Sequence, residues 1–91
     1  MSALRIAVVG DGKMGRAVAA LAAERGVDVV AVVGASDNPD GRGVTRERLG
    51  DADVVIEFTE PAAAAANVTA ALRAGYAVVC GTTGWSQDLA N

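Results

Sequence analysis

Histidine is absent from all 91 residues, and that absence excludes more chemistry than any residue present. It removes both the commonest general acid or base near neutral pH and the commonest metal ligand. A single cysteine, Cys80, excludes an intrachain disulfide and a multi-cysteine metal site. Aromatic residues number three, Phe58, Tyr76 and Trp85, against 20 alanines, so the core must come from close approach of backbones rather than from bulky side chains. Positive charge is also scarce. Eight basic residues face eleven acidic ones, for a net charge of −3 without a basic stripe, which argues against a nucleic-acid surface. No apolar run approaches the ~18 residues of a membrane span, and no signal-peptide pattern opens the chain. The expectation is a soluble cytoplasmic protein with no membrane partner. At this length it forms one domain at most.

What is present alternates between short β-branched runs and alanine-rich helical stretches. Leu4–Val9 reads as a buried strand. Met14–Arg25 reads as a helix with Met14, Val18, Leu21 and Ala22 on its inner face and Gly26 as its stop. Asp28–Val33 is a second strand, followed by a polar Gly/Pro connection over 34–43. Thr45–Leu49 is one helical turn, capped by Thr45 and ended by Gly50. Asp53–Phe58 is a third strand. Pro61 opens a helix to about Ala74, with Ala64, Val68, Ala71 and Leu72 inward and Gly75 as stop. Tyr76–Cys80 is a fourth strand, and Ser86 caps a last short turn. Strands apolar on both faces and alternating with helices predict an α/β, Rossmann-like parallel sheet. Right-handed crossovers and the helix-poor 34–52 connection give the strand order 2-1-3-4, with the switch point at the end of the first strand.

At that switch point stands Gly10-Asp11-Gly12-Lys13-Met14-Gly15, a G-x-G-x-x-G segment between strand and helix. Gly10 permits the tight turn, Gly12 lets a pyrophosphate approach the backbone, and Gly15 lets the helix pack on the strand. The free N–H groups and dipole of the helix start favour an anion. The expected ligand is a dinucleotide, NADH or NADPH. Asp37 lies 22 positions beyond Gly15, near the spacing of the acid that binds the adenosine ribose; a polar turn explains it equally well. Asp28 sits at the wrong end of the sheet. Lys13, the sole lysine, and Ser36 point instead towards a 2′-phosphate, so NAD and NADP remain equal alternatives.

Three segments, Gly10–Arg16 (GDGKMGR), Val54–Pro61 (VVIEFTEP) and Cys80–Trp85 (CGTTGW), resemble in order and spacing the N-terminal cofactor domain of the dihydrodipicolinate reductases of bacterial lysine biosynthesis, in the family's short form. The resemblance spans the whole chain. It implies that Gly10–Gly15 hold the pyrophosphate and that Lys13 is a basic residue near the 2′-phosphate. It further implies that Phe58 and Thr59 line the cofactor cleft, and that Gly81, Thr82 and Thr83 approach the nicotinamide. One departure is Gly34-Ala35-Ser36 where short members carry an acid directly after the second strand, which weakens the ribose role of Asp37. A second is the absence of the family's paired histidines and second lysine. Residues 1–91 are therefore expected to be a partial, incomplete dinucleotide-binding domain without the substrate and tetramerisation domain, inactive alone.

The remaining polar and reactive residues read as structure. Cys80 closes a strand as a small core residue, with no histidine to activate it. Glu57, inside an apolar strand, needs partners: it either bonds loop N–H groups at the strand end or points to an exposed edge. Arg42, Arg46 and Arg48 form a solvated face, from which one could reach a 2′-phosphate, and Trp85 packs near the sheet edge or against a further segment. An alternative to cofactor binding is a non-enzymatic half-Rossmann module that self-associates through its open sheet edge or apolar surface.

Overall fold

The computed structural model describes residues 4–34, 38 and 41–82. Asp37, Ser36, Thr83, Trp85 and the stretch after Ser86 lie outside the described residues. The elements are β1 (Arg5–Val9), α1 (Lys13–Glu24), β2 (Asp28–Val33), α2 (Arg46–Leu49), β3 (Val54–Glu57), α3 (Pro61–Arg73) and β4 (Ala77–Cys80). All strand pairs are parallel, and the order is β2-β1-β3-β4. The expected Rossmann-like sheet and its 2-1-3-4 order are thus what the chain forms. The three predicted glycine stops, Gly26, Gly50 and Gly75, all take positive φ after their helices, the conformation that side chains resist.

The two faces of the sheet bury separate cores. On one face Ala7, Val9, Val33, Val55 and Leu49 pack with Ala71 of α3 and with Tyr76. On the other, Ile6 and Val8 pack with Ala22 of α1. Successive residues of β1 thus serve opposite cores, as the strand period demands. Complete burial of a valine or leucine contributes about 1.5–3 kcal/mol, so the fully buried Val8, Val9, Val55 and Leu49 dominate a small core. The Tyr76 hydroxyl donates to the Gly50 carbonyl at 2.5 Å, and the Arg46 guanidinium stands 4.9 Å above the Tyr76 ring. Together they hold the long β2–β3 connection against β4.

Two helix faces differ from the pattern read in the sequence. Met14 and Leu21 are exposed, and Gly15 and Ala22 are the residues α1 buries. Small residues let the helix lie close to the sheet, and this rotates the longer side chains to its flanks. In α3 the buried positions are Ala64, Asn67 and Ala71, whereas Leu72 is exposed. A buried asparagine breaks the apolar stripe, and its partners belong to the site below. Among the described residues no helix is long and apolar enough to cross a membrane.

Candidate functional site

Three strand ends lead into loops on the same edge of the sheet, and each loop is pinned by one further rung of the parallel ladder. Gly10 N–H donates to the Val33 carbonyl at 2.8 Å, Phe58 N–H to Val9 at 2.9 Å, and Gly81 N–H to Glu57 at 2.8 Å. The rungs fix the loops before any ligand arrives. Between them opens a cleft of about 840 Å³, a volume in the range of cofactor pockets.

The three loop glycines meet different constraints. Gly10 has φ +118°, and a Cβ there would overlap the Phe58 carbonyl oxygen. A Cβ on Gly15 would overlap the Gly10 carbonyl oxygen, so Gly15 sits behind the cleft, sealing α1 onto the loop. Gly12 is the exception. Its φ of −76° suits any residue, and a Cβ there would meet nothing within 4 Å. Neither backbone nor packing calls for glycine at that position, yet it lines the cleft. The helix beginning at Lys13 has no side-chain cap and no acid in its first turn, so its first N–H groups stay available to an anion.

The cleft floor is a hydrogen-bonded cluster around one carboxylate. Glu57, the last residue of β3, is 1% exposed. Its Oε1 accepts from the Thr82 hydroxyl at 2.6 Å and the Cys80 thiol at 3.2 Å. Its Oε2 accepts from the Asn67 amide at 3.1 Å and from the Thr59 hydroxyl. Thr59 N–H in turn donates to Thr82 Oγ1 at 2.8 Å. The chain continues outward, because Asn67 Oδ1 accepts from Asn38 Nδ2 at 2.7 Å, and Asn38 Oδ1 accepts from Gly43 N–H at 2.8 Å. A buried carboxylate is tolerated only when its lone pairs are satisfied, and here four donors from β4, α3 and the loops after β3 and β4 surround it. The sequence reading asked for loop N–H groups or an exposed edge; the partners are instead hydroxyl, amide and thiol side chains. Cys80 is half-buried and its thiol donates to Glu57, so it belongs to this polar cluster beneath the cleft rather than packing as a small core residue.

Of the residues singled out in the sequence, Gly10, Asp11, Gly12, Lys13, Met14, Phe58, Thr59, Gly81 and Thr82 line this one cleft. Gly15 supports it from behind. Asp37 and Thr83 lie outside the described residues. Arg42, Arg46 and Arg48 are exposed on the β2–β3 connection. Gly81 owes its identity to Phe58, whose ring would overlap a Cβ there. The sequence reading missed Asn67 and Asn38. The signal for Asn67 was a lone amide on the buried face of an alanine helix; Asn38 resembled any loop asparagine. Among the described residues no cluster of acids, cysteines or histidines is arranged to hold a metal ion.

Comparison with known proteins gives a consistent result. Residues 4–91 match the family described as "Dihydrodipicolinate reductase, N-terminus". A 4-hydroxy-tetrahydrodipicolinate reductase of Beutenbergia cavernae is 41% identical over 87 residues, covering 93% of this chain and 33% of its own length. Those of Streptomyces avermitilis and Natronomonas pharaonis are each 40% identical, with 97% and 93% of this chain covered against 34% and 37% of theirs. The chain thus spans about a third of the length of these curated relatives.

Proposed function

The chain belongs to the dihydrodipicolinate reductase N-terminal family, and we propose that it is the NAD(P)H-holding part of a 4-hydroxy-tetrahydrodipicolinate reductase of the diaminopimelate route to lysine. The family uses NADH or NADPH, and its N-terminal domain is the dinucleotide-binding part. The observation that carries the reading to this chain is Gly12. It is a glycine in the cleft wall whose missing side chain serves neither backbone nor packing, and a phosphate approaching the backbone gives it a purpose.

In this reading the N–H groups at the start of α1, together with Lys13, hold the pyrophosphate. Phe58, Thr59, Gly81 and Thr82 face the nicotinamide end. The cofactor when bound supplies a hydride, and the protein's share is orientation and electrostatics. Glu57, accepting from four donors, holds Thr59 and Thr82 in register at the floor. In this reading residues 1–91 bind the dinucleotide in the cytoplasm. Titration of the chain with NADH and NADPH, followed by amide chemical shifts, tests this. Shifts confined to Gly10–Gly15, Phe58–Thr59 and Gly81–Thr82 are expected; unmoved signals at millimolar cofactor would refute it.

A second property rests on a separate observation. Among the described residues nothing covers the sheet face beside α1 over β3 and β4, where Val79 is 58% exposed, and Leu21 of the neighbouring α1 is 51% exposed. Leu4, Leu21 and Ile56 line an apolar groove there. We propose that a second copy covers this face, giving a dimer with or without nucleotide.

A further inference from the structure

The cleft holds a carboxylate at the tip of β2 that does not come from β2. Gly34 directly follows that strand, and it is buried although it has no side chain. What covers it is Asp11, from the glycine loop. A Cβ built on Gly34 would overlap Asp11 Oδ2 and lie 2.9 Å from Asp11 Cγ. The loop is held there by the bond from Gly10 N–H to the Val33 carbonyl at 2.8 Å, and the Asp11 carbonyl accepts from Arg16 Nε at 2.9 Å. The Asp11 carboxylate itself has no hydrogen-bond or ion-pair partner among the described residues, and Asp11 lines the cleft.

In open α/β sheets that bind NAD, an acid at the end of the second strand accepts hydrogen bonds from the ribose hydroxyls. Here the residue directly after that strand is glycine, and the space its side chain would fill is occupied by the Asp11 carboxylate. Resting on the dinucleotide reading above, we propose that Asp11 is the ribose-binding acid of this cleft and sets its preference for NADH over NADPH.

The chemistry separates the two cofactors at one position only. A vicinal diol offers two donors to an acceptor-only carboxylate. A 2′-phosphate offers no donor and brings about two negative charges against it. Lys13 is the one cation lining the cleft among the described residues. Its attraction to the pyrophosphate is common to both cofactors, so it raises both affinities without deciding between them.

The test is the ratio of the NADPH and NADH dissociation constants, measured on the full chain by calorimetry or dihydronicotinamide fluorescence. The unaltered chain should bind NADH about tenfold more tightly or better. Asp11→Ala should bring the two constants to within about threefold, and Asp11→Asn, which keeps the shape, should do so as well. In Asp11→Ala/Gly34→Asp the acid returns to the strand, and the NADH preference should return with it. Equal constants in the unaltered chain, or a ratio that Asp11→Ala leaves unchanged, would overturn the assignment while leaving cofactor binding intact. Failure of every variant and of the unaltered chain to bind either dinucleotide would overturn both readings. Amide spectra of each variant check that it is folded.

Discussion

Thr82 Oγ1 donates to Glu57 Oε1 at 2.6 Å, joining residues 25 positions apart at the ends of β4 and β3. The same oxygen accepts from Thr59 N–H at 2.8 Å. One hydroxyl therefore ties the third loop to the second through a carboxylate that water does not reach. The floor of the cleft is a set of polar side chains in mutual satisfaction, carried on an otherwise apolar sheet.

The arrangement predicts a large response to a small change at Glu57. Four donors converge on its two oxygens. Glu57→Gln replaces one oxygen with an NH₂ group and sets donor against donor. Removing a partner from a buried polar group costs about 1–3 kcal/mol, so urea unfolding should show a loss of about 2–3 kcal/mol. Thr82→Val, which deletes one donor and keeps the shape, should cost less, about 1–2 kcal/mol. A Glu57→Gln variant as stable as the parent would show that the carboxylate is not organising the floor.

The three loop glycines should separate stability from binding. Gly10→Ala places a Cβ at φ +118° and against a backbone oxygen, and should lose about 3 kcal/mol or fail to fold. Gly12→Ala adds a methyl to open space and should change stability by less than about 1 kcal/mol. The same methyl should weaken dinucleotide binding about tenfold or more, because it stands where the phosphate must approach. Urea unfolding and a cofactor titration on the same two proteins make the comparison. Loss of stability without loss of binding in Gly12→Ala would reverse the assignment of that residue.

Much of this was legible in the sequence because the signals were local. The G-x-G-x-x-G spacing, the glycine stops and the alternation of β-branched and alanine runs each depend on neighbours along the chain. Four strands, their order and the meeting of the three loops followed from them. What escaped depends on contacts between distant residues. Met14, Leu21 and Ala22 looked inward by periodicity, but of these Ala22 alone is buried, joined by Gly15, whose lack of a side chain allows the closer approach. Asn67 and Asn38 gained their role only when α3 and the post-β2 loop came within hydrogen-bonding distance. The Asp11–Gly34 contact is likewise invisible until the first loop is laid across the end of β2.

Lys13 should reveal itself through salt. It is exposed on the first turn of α1, beside the positive end of the helix dipole, where a cation is locally unfavourable. Lys13→Gln should therefore leave folding unchanged or slightly improved, while weakening NADH and NADPH by similar factors of about three to ten. The loss should shrink as ionic strength rises, since screened charges contribute less. Titrations at two salt concentrations check both claims; a selective loss of NADPH would instead make Lys13 a 2′-phosphate contact.

The uncovered face predicts association that a single charge can break. Val79 on β4 and Ile56 on β3 are register partners, and among the described residues β4 is the last strand on its side of the sheet. Among the described residues no strand pairs with its outer row of N–H and C=O groups, and the adjacent apolar face adds area that water disfavours. Both can be met by a second copy related by a two-fold axis. Val79→Lys puts a charge in the middle of that surface without touching either buried core, and natural edge strands use lysine in this way. Light scattering should find the unaltered chain dimeric at about 100 μM, where even a modest micromolar affinity saturates, and Val79→Lys monomeric. The variant should retain cofactor binding, because the cleft lies at the strand ends. A chain that is monomeric before the substitution would show that the exposed face does not draw a second copy.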